Sequence, residues 1–188
     1  MFIQTEATPN PATLKFLPGK TVSRNGPFEF TCAEDAAHRS ALAETLFRID
    51  NVTGVFFGFD FITVTKSDSI DWQNLKPAIL GAIMEHFMTG IPVIYPQKEE
   101  FSDVETFVEE GSEEIVATIK ELLETRVRPA VAQDGGDITF YGYKDGHVFL
   151  RMRGACAGCP SSTATLQHGI QNLLKHFIPE VERVEAVQ

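Results

Sequence analysis

The run Gly154-Ala155-Cys156-Ala157-Gly158-Cys159-Pro160-Ser161-Ser162 sets two cysteines three apart, where one kind of pattern gives way to another. Upstream, residues 147–153 alternate sides as a strand does, and a Lys144-Asp145-Gly146 turn folds them back on residues 137–143 as a hairpin. Downstream, Leu166, Ile170, Leu173, Leu174 and Phe177 recur on one helical face, so a helix is predicted from Pro160 to about Phe177, with Pro179 ending it. Proline suits the first helical position, which puts Cys159 at about the N-cap. The unpaired N–H groups and positive dipole end there should favour thiolates. A hairpin feeding a helix through a short loop is an α+β arrangement.

Working outward, Ser112 is a credible N-cap for a helix carrying Ile115, Ile119, Leu122 and Leu123, with Glu113 and Glu114 at its positive end. Arg126 and Arg128 suit its last turn, and Pro129 is expected to stop it. The loop Gln133-Asp134-Gly135-Gly136 then leads into the hairpin, and residues 181–187 suit a last strand. The first half reads as α+β too. Strands are expected at 2–5 and 13–17 around a Pro9-Asn10-Pro11 turn, and a helix at 36–49. A hairpin follows at 54–57 and 61–66, then a helix from about Leu75 to Met88, since Pro77 is tolerated only in a first turn.

The chain has 188 residues, 43% of them hydrophobic and 22% charged, which fits two small globular domains. Its formal net charge of −10 argues against nucleic-acid binding. The charge is concentrated. Residues 96–114 hold eight acids against one base, residues 1–95 hold ten against seven, and residues 115–188 hold eight of each. An acidic, proline-flanked stretch between two patterned regions reads as a linker. No apolar run approaches the ~20 residues of a spanning helix, so no membrane insertion is expected. The opening Met1–Glu6 lacks the basic start of a signal peptide and the arginine-rich character of a transit peptide. That points to a bacterial cytoplasm, with the mature form of a mitochondrial matrix protein as the alternative.

Three cysteines are too few for a disulfide framework. Three uses of the Cys156/Cys159 pair compete. A dithiol oxidoreductase would place it after a buried strand of a βαβ unit, whereas a hairpin leads into it here. A structural zinc site needs four ligands, and His147, His168 and His176 form no close-spaced set with the pair, which leaves a zinc-bridged interaction module. Two thiolates are also half of the four that hold an iron–sulfur cluster, and two chains about a two-fold axis would supply the rest.

Residues 154–163, following a hairpin and the Asp134-Gly135-Gly136-Asp137 loop, closely resemble the C-terminal domain of NifU-like (Nfu) iron–sulfur proteins. The opening Thr5-Glu6-Ala7-Thr8-Pro9-Asn10-Pro11-Ala12-Thr13-Leu14-Lys15-Phe16 resembles the Nfu N-terminal domain. The resemblance implies a carrier rather than an enzyme. It implies a [4Fe-4S] cluster held between two chains, a homodimer when loaded, by the residues matching Cys156 and Cys159. Upstream assembly machinery and recipient apo-proteins would be its partners; recipients in the family include lipoyl synthase, aconitase-type and respiratory-chain enzymes. The organisation expected is a partner-recognition domain at 1–94, an acidic linker at 95–111 and a cluster-binding domain at 112–188, two α/β-sandwich-like units.

Other residues weigh less. Cys32 stands alone and reads as a small packing residue. Arg151 and Arg153 share one side of their strand just before the cysteines, where they could offset cluster charge or simply face solvent. Some of the phenylalanines between Phe56 and Phe61 should be core, and an exposed subset could recognise partners.

Overall fold

The computed structural model describes residues 2–96 and 106–187, which form two compact units, each with its own core. The division falls inside residues 97–105, outside the described residues. Most of the expected 95–111 linker therefore lies there too.

The first unit is a five-stranded antiparallel sheet with helices on one face. In chain order it runs β1 (Gln4–Ala7), β2 (Thr13–Leu17), β3 (Phe28–Phe30), α1 (Ala33–Ala37), α2 (Ala41–Phe47), β4 (Val52–Phe57), β5 (Ile62–Lys66) and α3 (Trp72–Thr89). The strand order is β1-β2-β5-β4-β3. Leu42, Leu46, Leu75, Ile79 and Ile83 pack against Phe16, Phe30, Val55, Phe57, Ile62 and Val64, the alternate positions of the strands.

Sequence and structure differ at four places here. The first strand is shifted to Gln4–Ala7, and β3 lacks a period long enough to read in three residues. The helix expected at 36–49 is two helices, because the Ser40 hydroxyl accepts the Ala43 N–H (3.1 Å) and caps a fresh start. Helix α3 begins at Trp72 and keeps Pro77 inside it. Residue 77 is the sixth of the helix, so only the Gln73 carbonyl loses its partner, and that turn faces solvent. Gly90, at φ 72°, closes the helix in the left-handed conformation that glycine adopts without strain.

The second unit contains β6 (Phe107–Val108), α4 (Glu113–Leu122), a π-helical turn (Leu123–Val127), α5 (Arg128–Gln133), β7 (Gly136–Lys144), β8 (His147–Gly154), α6 (Pro160–Phe177) and β9 (Arg183–Val187). Its sheet runs β6-β7-β8-β9, with the central hairpin antiparallel and both outer strands parallel to their neighbours. The hairpin turn is Asp145-Gly146, both with positive φ (48° and 76°), the geometry that matches strand twist in a two-residue loop. Ile119, Leu123, Val131, Ile170 and Leu174 cover Ile138, Val148, Leu150 and Val184 to form the core.

Two expectations change in this unit. Pro129 does not stop the helical run. The wider π turn ends at Val127 and seats Pro129 in the first turn of α5, where a missing N–H costs nothing. Phe107 and Val108, expected in the linker, pair with Gly142 and Tyr143 as an edge strand, so the sheet begins before Ser112. Two residues carry no readable alternation. Helix α6 spans the expected range, from Pro160 to Phe177. Among the described residues no helix is long and apolar enough to cross a membrane.

Candidate functional site

The cysteine loop is held from three sides. Strand β8 ends at Gly154 with φ 65°, and the Ala155 N–H donates to the Gly135 carbonyl (3.2 Å), tying the loop to the turn before β7. The Ala157 N–H donates to the Gly154 carbonyl (3.1 Å), and Gly158, at φ 82°, reverses the chain into α6. On the helix side the Thr163 hydroxyl donates to the Cys156 carbonyl (3.0 Å), while the Thr163 N–H and Ser162 hydroxyl both donate to the Cys159 carbonyl.

These contacts put the two sulfurs in unlike surroundings. Cys156 is buried and packs into the core, whereas Cys159 stands as the N-cap residue of α6 with its sulfur 3.4 Å from the Ser161 hydroxyl. Hydrogen bonds from the Ser161 and Ser162 hydroxyls, then from the backbone at the helix start, pull the Cys159 thiol down to about 7. Burial pushes Cys156 up to about 12, helped by Asp134 and Asp137. The expectation that the helix start would favour both thiolates therefore holds for Cys159 alone. Desolvation outweighs the dipole at Cys156.

Under Cys156 lies Gly136. A Cβ there would meet the Cys156 sulfur at 2.6 Å and the Arg153 carbonyl oxygen at 2.7 Å, so the sulfur occupies space that only glycine leaves. The next residue, Asp137, is buried and gripped by Arg128, whose Nε and Nη2 donate to its two carboxylate oxygens (2.8 and 3.1 Å). Arg128 also reaches Glu124, and this company raises its pKa further, chiefly through the Asp137 hydrogen bond. The Asp134-Gly135 stretch turns the chain from the end of α5 at Gln133 into β7 at Gly136, as a loop leading into the hairpin should. The fork from α5 and the empty space beneath the sulfur were not legible. The glycine doublet was the one available signal.

Other candidates separate. Arg151 and Arg153 lie on the outward side of β8; Arg151 stacks over Tyr141 (5.2 Å). Cys32 is exposed in the first unit, before α1. Phe56, Phe57 and Phe61 are buried and Phe59 is exposed, so the phenylalanine run divides as expected. Among the described residues, no three His, Cys, Asp or Glu side chains converge to hold a metal ion. The donors gathered at this loop are two thiols.

Comparison with known proteins decides the family. A model of the Nfu/NifU scaffold N-terminal domain matches residues 3–90, and a NifU-like domain model matches residues 119–185. The chain belongs to the NifU-like (Nfu) family. That family consists of scaffold proteins rather than enzymes.

This Nfu chain is 50% identical over 187 residues to a Drosophila virilis protein named as a mitochondrial NFU1 iron–sulfur cluster scaffold homolog. It is 48% identical to the Drosophila ananassae protein of the same name. The alignments cover all of this chain but 62% and 64% of those relatives, a little under two thirds of their length. A solution structure of a NifU-like protein from Saccharomyces cerevisiae overlaps 52% of this chain and 87% of its own, with 26% identity and a TM-score of 0.47. A Staphylococcus aureus crystal structure overlaps 44% of this chain and 99% of its own, with 23% identity and a TM-score of 0.40.

Proposed function

We propose that this Nfu-family chain is an iron–sulfur cluster carrier, holding a [4Fe-4S] cluster through Cys156 and Cys159 and passing it to apo-proteins. One observation carries the reading: two thiols, one buried and one half-buried, sit at the start of α6 with no third donor beside them among the described residues. Four thiolates are needed, so two copies meeting about a two-fold axis complete the set.

The unlike thiols suit loading and release. Cys159 is poised as a thiolate near neutral pH and makes the first bond to iron. Cys156 must give up its proton to become a ligand. When a recipient thiolate takes the iron, the Fe–S bond to Cys156 breaks and the sulfur regains a proton. A ligand that returns readily to its thiol form favours transfer over permanent retention.

The curated relatives are named as mitochondrial, which favours a mitochondrial matrix location over the bacterial cytoplasm expected from the sequence. The first unit is the partner-recognition domain in this reading, and lipoyl synthase, aconitase-type and respiratory-chain enzymes are the recipients the resemblance implies.

Anaerobic reconstitution with iron and sulfide tests the proposal. Roughly four irons and four sulfides per dimer are expected, with reversion to monomer on cluster loss. Cys156→Ser and Cys159→Ser should each abolish loading. A zinc-bridged dimer that takes up no sulfide would overturn it.

A further inference from the structure

The helices of the second unit cover one face of its sheet, packing on Ile138, Phe140, Val148, Leu150, Met152 and Val184. The intervening positions make the opposite face, and their chemistry is unlike the rest of the chain. Lys144, Arg151, Arg153 and Arg183 all fall on it by strand register. Against them stand Asp137, which is already engaged by Arg128, and Glu185, which lies 3.0 Å from His147 and 3.9 Å from Arg183, so two acids face four bases. In a chain of net charge −10, this face has an excess of positive charge.

Between the cations runs an aromatic row. Phe107 meets Tyr141 edge-on (5.7 Å) and Phe149 at a tilt (5.1 Å), and His147 stacks on Phe149 (6.4 Å). The Arg151 guanidinium lies 5.2 Å over Tyr141, yet its Nε is buried without a hydrogen-bond partner. Buried donors are normally paired, and a guanidinium pairs best with a carboxylate, which it can grip with two parallel bonds.

We propose that this face is a docking surface for an extended acidic segment of another protein, its carboxylates meeting Arg151, Arg153, Arg183 and Lys144 and its apolar side chains resting on the aromatic row. Charge complementarity selects the occupant. Single-stranded nucleic acid fits less well, because bases stack on free ring faces. Here the rings are turned against one another, and Tyr141 is capped by Arg151. Strand β8 runs from this face directly into the cysteine loop, so a docked partner would lie beside the proposed cluster site. That consequence rests on the carrier reading; the docking itself does not.

The test uses the whole 188-residue chain in its apo form. Fluorescence anisotropy is followed with a fluorescein-labelled peptide alternating glutamate with tyrosine and leucine, and in parallel with a labelled oligothymidylate. The peptide should bind and weaken as salt rises. Arg151→Glu with Arg183→Glu should weaken it roughly tenfold or more, as reversed charges in a complementary interface do. If that variant does not fold, Lys144→Glu with Arg183→Glu replaces it. Lys120→Glu with Lys175→Glu makes the same charge change on the helical side and should shift binding less than about twofold.

Equal losses in both pairs of variants would mean unspecific attraction and overturn the proposal. So would no measurable peptide binding, or tighter binding of the oligothymidylate through the same arginines. Iron uptake measured on the same variants keeps this result separate from the carrier reading, since a chain that loads cluster but ignores the peptide refutes the docking surface alone.

Discussion

Two neighbouring sulfurs in this chain are pushed in opposite directions, because hydrogen bonds from serines at the surface pull Cys159 down to about 7 and burial in the core pushes Cys156 up to about 12. Thiolate is the reactive form, so alkylation of a Cys32→Ala variant by iodoacetamide should label Cys159 first. Its rate should rise with pH to half its plateau near pH 7, while Cys156 stays protected throughout the neutral range. Peptide mapping of the labelled protein checks both points, and faster labelling of Cys156 would refute the assignment. Gly136→Ala tests the space beneath Cys156. Its Cβ has to displace either the sulfur or the Arg153 backbone. We expect a loss of about 1–3 kcal/mol, the usual range for overpacking, together with easier alkylation of Cys156. The two cysteines and their place at a helix start were legible in the sequence. The asymmetry between them was not, because it depends on what Cys156 packs against, and no local pattern encodes that.

At the level of elements, the long periodic ones were readable and the short ones were not. Helix α6 and the β7–β8 hairpin announce themselves through an apolar stripe, a proline start and an Asp-Gly turn. Strand β3 and strand β6 have three and two residues, too few for alternation to register. Pro77 and Pro129 misled for a shared reason, since each sits where the lost hydrogen bond is cheap: near the start of α3, and just past a π turn. The element-scale device that sequence could not show is the Arg128–Asp137 fork, which fastens α5 to the first residues of β7. Asp137→Asn keeps the shape but removes the charge that the guanidinium grips. Because Arg128 is partly exposed and retains Glu124, the expected loss is about 1–3 kcal/mol rather than the full cost of a stranded buried charge. Urea unfolding followed by circular dichroism measures it. An unchanged midpoint would mean that the fork contributes nothing. Leu174→Ala, which empties a fully buried position of α6, should cost more, about 2–5 kcal/mol.

For the whole molecule, two separate cores predict two independent folding units. Limited proteolysis should release both, with first cuts falling between Pro96 and Phe107; cleavage inside either sheet ahead of that stretch would contradict it. The net charge of the chain also takes on more structure. Its strongest concentration lies between the two domain matches, while residues 115–188 are neutral in sum and place four of their eight basic groups, Lys144, Arg151, Arg153 and Arg183, on the bare side of the sheet.

Strand β6 has a practical bearing on how this molecule can be taken apart. Its Phe107 ring rests where Gly142 lacks a side chain, and its backbone pairs with one margin of β7. A fragment cut at Ser112, the boundary that sequence suggests, would strip that strand away, leaving β7 with unpaired amides and carbonyls beside an uncovered aromatic row. Open strand margins of this kind recruit other chains, so such a fragment should self-associate, where one beginning ahead of Phe107 should remain monodisperse in the apo form. Any dimer seen with the shorter fragment would then reflect a wounded sheet rather than a shared cluster.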